Sequence, residues 1–172
     1  PNLFQSIIGV AHQTDKCTFS DRKKFIIPEH NWEQFGCEDP RITRMDNKFY
    51  TFYTALSDSN LGPDSIRIAV AISNDLETVK EKHLVTPFNA KAMALFPEKI
   101  KGKYTAILTV NTDQPPESIA ICQASKMEDF WDHKKWNKWY QNLEKHSLKL
   151  KRNNSDLTEV GAPPVKTKDG WL

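Results

Sequence analysis

Two short patterns recur in alternation along this chain, and nothing else in it restricts the fold as much. Ile8-Gly9-Val10-Ala11-His12-Gln13-Thr14-Asp15 resembles Ile68-Ala69-Val70-Ala71-Ile72-Ser73-Asn74-Asp75, and Ser118 to Ser125 is a looser third copy. A second unit alternates with the first: a proline, a short strand, a turn, then an aromatic strand. It occurs at Pro40…Asp46-Asn47…Phe49, at Pro97…Lys101-Gly102…Tyr104 and at Pro164…Asp169-Gly170-Trp171. Copies lie roughly 50–70 residues apart, the spacing of one four-stranded propeller blade with loop insertions. Period-two alternation over Arg67 to Ile72 supports an all-β reading. The expectation is a β-propeller of which this chain, residues 1–172, supplies roughly three blades as one partial domain. A propeller closes its ring to hide strand edges, and Trp171-Leu172 stands where the third hairpin's second strand has just begun. The chain therefore reads as the N-terminal part of a larger protein, or as a piece needing the rest in trans.

Two stretches interrupt the pattern. Asp58 to Asp64 is a turn-rich loop. From Met127 to Leu143, Met127, Phe130, Trp136, Trp139, Tyr140 and Leu143 recur at helical spacing among charges. This predicts an amphipathic helix inserted in a blade. Its lysines and tryptophans could stack on nucleic acid, but Glu128, Asp129 and Asp132 interrupt the basic face, so packing against a neighbour is the better reading. Lys149 to Asn154 reads as a solvated link.

Composition excludes some partners. A net charge of +2 offers no basic excess to drive nucleic-acid binding. No apolar run approaches the roughly 20 residues of a membrane helix. The three cysteines (Cys17, Cys37, Cys122) are odd in number and far apart, which suits free thiols in a reducing compartment. The histidines show no metal-ligand spacing, so no metal site is expected. A cytoplasmic location follows as an expectation, although a chain starting at Pro1 is also compatible with a removed signal peptide.

Chemistry concentrates in Gly36-Cys37-Glu38-Asp39-Pro40-Arg41. Gly36 allows a sharp turn, and Pro40 fixes its own φ while pushing Asp39 toward extended backbone. Glu38, Asp39 and Arg41 thus sit on a constrained segment before strands at Ile42–Met45 and Phe49–Thr54, joined by an Asp46-Asn47 hairpin signal. Carboxylates beside an arginine at a sheet's mouth build either a site or a surface salt bridge.

Gly36-Cys37-Glu38-Asp39-Pro40-Arg41-Ile42-Thr43, then Leu95-Phe96-Pro97-Glu98-Lys99-Ile100-Lys101-Gly102-Lys103-Tyr104, then Gly161-Ala162-Pro163-Pro164-Val165-Lys166-Thr167, together resemble glycoside hydrolase family 130. These are the β-mannoside phosphorylases and related β-mannosidases. The resemblance covers most of the chain and implies a five-bladed β-propeller. It implies cleavage of β-mannosidic linkages with inversion, by phosphorolysis or hydrolysis, on a β-mannoside oligosaccharide. It places Asp39 at the proton-donor position, acting through a hydroxyl of the mannose ring while phosphate attacks the opposite face. Such an acid must carry a proton, which neighbouring Glu38 favours and Arg41 opposes. Glu38 and Arg41 fall among the substrate-binding residues, Arg41 chiefly as an orienter of the loop. Lys91 falls where the family places a basic phosphate contact, while Lys99 reads as surface.

No cofactor is implied beyond inorganic phosphate as a possible co-substrate. The chain departs from the family pattern after Tyr104, where many members carry a His-Arg-Pro-like segment and this one has Leu108-Thr109-Val110. Threonine cannot replace the bidentate grip of arginine on phosphate. The departure favours a weak or absent phosphate requirement, with Asn111, Thr112 and Asp113 as partial substitutes. It also keeps two alternatives open: a sugar-binding propeller without catalysis, or a scaffold whose tryptophan-rich helix makes oligomer contacts. An unclosed ring would further promote self-association through its edges.

Overall fold

The computed structural model describes residues 5–60, 62–114, 116–151, 153 and 157–172. Eleven strands are described, all pairing antiparallel in four sheets. A hairpin of β1 (Ile8–Gln13) and β2 (Phe19–Ile26) comes first. A four-stranded meander follows, ordered β3 (Gly36–Met45), β4 (Lys48–Leu56), β5 (Ile66–Ser73) and β6 (Val79–Leu84). A three-stranded meander of β7 (Ala90–Leu95), β8 (Tyr104–Val110) and β9 (Ser118–Ala124) is next. A short hairpin, β10 (Lys166–Thr167) and β11 (Gly170–Trp171), closes the series. One sheet is thus a full four-stranded blade, one has three strands, and two are hairpins.

The repeat in the sequence is a repeat of strand position. The copies beginning at Ile68 and Ser118 form β5 and β9, the third strands of their sheets, and the copy at Ile8 forms β1. The turns after β1 and β5 are built alike. Asp15 Oδ1 accepts from the N–H groups of Cys17 and Thr18, and Asp75 Oδ1 from those of Glu77 and Thr78. The carboxylate caps the bend, so the aspartate in the repeat specifies the corner. The hairpin turns follow as expected: Asp46 and Asn47 both have positive φ (50° and 61°), as do Lys101 and Gly102 (51° and 76°), the geometry a two-residue turn between twisted strands requires.

The four-stranded sheet is buried on both faces. Tyr50, Phe52, Ile68, Val70 and Ile72 pack toward the β7–β9 sheet, while Tyr53, Ala55, Ala69 and Ala71 pack toward the β1–β2 hairpin. This is why β4 and β5 read as near-continuous apolar runs. β6 is charged instead, Val79-Lys80-Glu81-Lys82-His83-Leu84, which suits an edge strand that must not recruit another.

Gly36 departs from expectation. It lies within β3 and not at a turn; a Cβ there would meet Leu56 Cδ1 and Ser6 Cβ at 3.2 Å, so glycine serves the close approach of residue 6. The expected single helix over Met127–Leu143 is broken into a 3₁₀ segment (Met127–Trp131), α1 (His133–Tyr140) and α2 (Leu143–His146). Asp132 breaks it: its backbone is extended, and its side chain caps α1 by accepting from Lys134 and Lys135 N–H. The aromatic face packs as expected, with Phe130 edge-on to Phe52 and Phe88 against Trp136, Trp139 and Tyr140. In the loop from Asp58 to Asp64 and the link from Lys149 to Asn154, Leu61, Arg152 and Asn154 lie outside the described residues. Among the described residues no helix is long and apolar enough to cross a membrane.

Candidate active site

β3 and β7 are the first strands of neighbouring sheets, tied where Thr43 Oγ1 donates to the Leu95 carbonyl at 2.9 Å. Each strand carries the same irregularity. In β3, Glu38 pairs with Thr54 and Arg41 with Phe52, so Asp39 and Pro40 together face Tyr53. In β7, Lys91 pairs with Thr109 and Ala94 with Ile107, so Ala92 and Met93 together face Leu108. Asp39 and Ala92 both take positive φ, 50° and 57°, so Asp39 is left-handed rather than extended as the following Pro40 predicts, the bulge overriding the local preference. A bulge of this kind bends the strand and re-aims its side chains. Proline suits it in β3, because Pro40 offers no N–H to a ladder that is already interrupted.

In β3 the bulge exposes Asp39 itself, whereas in β7 the bulge residues Ala92 and Met93 are buried and the residue just before them, Lys91, reaches toward solvent. Asp39 is exposed and Lys91 is half-buried. Burial works against the charged form of Lys91. The hydrogen bond and charge of Glu159, with the fields of Asp113 and Asp39, outweigh it and hold its pKa above the ordinary lysine value. Asp39 and Lys91, from the first strands of neighbouring sheets, thus lie within reach of each other's charge.

Arg41 is linked to Lys91 through Glu159, whose carboxylate contacts both. Its Nε donates to the Gly161 carbonyl (2.8 Å), one terminal nitrogen to the Asp39 carbonyl (2.9 Å), and the other to the Val160 carbonyl (2.8 Å) and Glu159 (3.2 Å). Its side chain is only 12 % exposed. The guanidinium is spent on fixing the Asp39 bulge against residues 159–161. Glu38 accepts from Ser6 Oγ at 2.5 Å, tying it to the chain that runs beside Gly36.

Thr109 is accounted for differently from the sequence reading. Its hydroxyl accepts from the Val160 N–H at 3.0 Å, and Val160 packs on Ala92, Ala94 and Ile119. Thr109 thus anchors the segment bearing Glu159. Asn111 is also engaged, its Oδ1 accepting from Tyr140 OH at 2.7 Å, so of the three proposed substitutes only Asp113 reaches Lys91 by its charge. Lys99 lies over the Tyr104 ring at 4.3 Å, a surface cation–π contact.

Two features escaped the sequence. Glu159 meets Arg41 across 118 residues and lies 2.9 Å from Lys91 Nζ; its one signal is its place two residues before Gly161. Behind the β3 bulge, Glu33 is fully buried and accepts from Tyr53 OH (2.5 Å), Cys37 Sγ (3.3 Å), Glu29 N–H (2.9 Å) and Lys82 Nζ (3.0 Å). Burial disfavours its charge, but Tyr53, the Glu29 N–H and Lys82 prevail and hold its carboxyl below the usual range. Cys37 and Tyr53 are pushed up by burial and then by Glu33, so neither ionises near neutrality.

A cavity of about 550 Å³ opens elsewhere, between β9 and α1, lined by residues including Cys122, Gln123, Trp136 and Trp139. Trp139 is stacked by Phe88 and by His146, and Asp129 is held by Lys135 and two backbone N–H groups. Those groups serve packing and capping. At Asp39 and Lys91 an exposed acid on β3 adds to the field at a half-buried cation on β7.

Successive antiparallel sheets of this kind are the architecture of a propeller-type protein. A family profile described as beta-1,4-mannooligosaccharide phosphorylase matches residues 2–172, and the chain belongs to that family, glycoside hydrolase family 130. It is 32 % identical over 168 residues to a 1,2-beta-oligomannan phosphorylase of Thermoanaerobacter sp. (strain X514), covering 97 % of this chain and 51 % of that protein. It is 28 % identical over 172 residues to a beta-1,2-mannobiose phosphorylase of Listeria innocua serovar 6a, covering 97 % and 44 %. The solved Listeria innocua beta-1,2-mannobiose phosphorylase, in complex with beta-1,2-mannobiose, superposes with a TM-score of 0.74 at 26 % identity, over 96 % of this chain and 43 % of that one. The family fold is a five-bladed β-propeller. This chain spans about half the length of the curated relatives it matches.

Proposed function

We propose that the protein cleaves β-mannosidic linkages of mannose oligosaccharides by phosphorolysis with inversion, and that Asp39 is its proton donor. The observation that carries this reading is the matched pair of bulged first strands: an exposed carboxylate on β3 contributes to the field at a half-buried lysine on β7. An inverting displacement needs an acid on the leaving-group side and an anion on the other. The glycosidic bond at the anomeric carbon breaks, and its oxygen takes the proton that originates on Asp39. A phosphate oxygen bonds to that carbon, giving mannose 1-phosphate and a shortened sugar.

Lys91 contacts the phosphate as a point charge, one-sided as a lysine must be. Glu38 keeps one oxygen on Ser6 and offers the other to a sugar hydroxyl. Arg41 acts through Asp39, by holding the bulge. The matched relatives favour a catalytic protein over a sugar-binding or scaffold propeller, and phosphate over water as the nucleophile. Between the linkages named among them, the three curated relatives favour β-1,2.

The test is product analysis. Full-length protein incubated with β-1,2-mannobiose should release mannose 1-phosphate only when phosphate is supplied. Free mannose as the sole product, at equal rates with and without phosphate, would make water the nucleophile. The same assay on β-1,4-mannobiose checks the linkage.

A further inference from the structure

Building on the reading of Lys91 as the phosphate contact, we infer that Glu159 sets the site's appetite for phosphate by acting as an internal anion that competes for Lys91. Its carboxylate lies 2.9 Å from Lys91 Nζ with one oxygen and 3.2 Å from Arg41 with the other. It therefore sits where an incoming anion has to approach the lysine. A carboxylate and a phosphate beside one ammonium repel each other, so phosphate binds by displacing the Glu159 side chain.

The segment is built to let that side chain move alone. Arg41 keeps its hold on the carbonyls of Asp39, Val160 and Gly161 when Glu159 leaves. The Val160 N–H stays on Thr109, and the Val160 side chain stays packed on Ala92, Ala94 and Ile119. Glu159 itself is 38 % exposed, so its carboxylate has water to turn into once phosphate takes its place on Lys91. A residue needed only to brace the fold would be expected deeper, as Glu33 is. Asp113 adds negative field at Lys91 from β8's far end, which leaves the lysine well supplied with charge before any phosphate arrives.

Calorimetric titration of inorganic phosphate into the full-length protein tests this, with Glu159→Gln, Glu159→Ala and Lys91→Met beside the parent and melting curves to confirm folding. Both Glu159 variants should bind phosphate about tenfold more tightly, with the phosphate KM falling in step and the mannoside KM unmoved. The alanine variant keeps the test open should glutamine disturb the segment. Unchanged or weaker phosphate binding in the Glu159 variants, with binding lost in Lys91→Met, overturns the competitor role and leaves the phosphorolysis reading standing. Phosphate binding in Lys91→Met equal to the parent overturns the assignment of Lys91, and the inference with it.

Discussion

The bulges in β3 and β7 are the same backbone device carrying different chemistry. Both place two residues opposite one, both put a non-glycine residue at positive φ, and both set a threonine across from the residue just before. Yet β3 carries Glu38 and Asp39 where β7 carries Lys91 and Ala92. The support behind them differs as well. The residue facing the β3 bulge is Tyr53, hydrogen-bonded into the Glu33–Lys82 network; the residue facing the β7 bulge is Leu108, in the apolar core. Repetition of the blade fixes where side chains are aimed, and substitution within the repeat decides what they do there. Aspartate tolerates the left-handed region through its short polar side chain, while alanine sits there at a cost of roughly 1–2 kcal/mol, which the surrounding pairing offsets.

The largest effect that can break this comparison is in the acid. Asp39→Asn should lower turnover by roughly 10²- to 10⁴-fold, with the melting temperature little changed because Asp39 is exposed. A near-normal rate would remove the β3 bulge from the chemistry. Next comes its polar backing. Glu33→Gln should cost about 1–3 kcal/mol in denaturant unfolding, since Tyr53 and Cys37 lose a charged acceptor while Lys82 keeps Glu29 at 2.9 Å. The sign with pH follows from its depressed carboxyl. Its contribution is fully present above the unfolded value near ~4.3 and is lost as pH falls through the lower folded value. The variant should therefore show a shallower acid loss than the parent; parallel pH curves would deny Glu33 that role.

Arg41→Lys sharpens the link between the bulge and residues 159–161. Lysine cannot reproduce the fork onto three carbonyls, so stability should fall by about 2 kcal/mol and turnover by about tenfold. Equal turnover would make the clamp structural only. The smallest effects separate the paired threonines. Thr109→Val orphans the Val160 N–H and should cost about 1–2 kcal/mol. The Thr54 hydroxyl is buried without a partner among the described residues, so Thr54→Val should be neutral to stabilising by about 1 kcal/mol. Equal losses in the two would mean that the threonines are not distinguished by the Val160 contact.

Local chemistry made much of this readable beforehand. The corners at Asp15 and Asp75 and the turn at Asp46-Asn47 are decided by residues within a few positions, so the strand repeat and the β3–β4 hairpin were visible in the sequence. Alignment by proline misled where it had no structural basis. Pro40 occupies the bulge, but Pro97 lies beyond the end of β7, and the true counterpart of Asp39-Pro40 is Ala92-Met93. The break at Asp132 carried a capping signal that the helical periodicity of its neighbours concealed. Arg41 with Glu159, Thr109 with Val160 and Glu33 with Lys82 stayed hidden for a different reason. Each joins parts of the chain at least 49 residues apart, and no local preference reports such a pairing. The carboxylate and the lysine proposed for the site could be named from motifs, but Glu159 between Lys91 and Arg41 could not.

The claim that Asp39 donates the proton is most directly tested by changing the leaving group. Full-length parent and Asp39→Asn should be compared on β-1,2-mannobiose and on an aryl β-mannoside whose phenol departs without protonation. The loss should be roughly 10²-fold or more on the disaccharide, shrinking to less than about tenfold on the aryl substrate. An equal loss on both substrates would contradict that claim, because Asp39 would then act on something other than the departing oxygen.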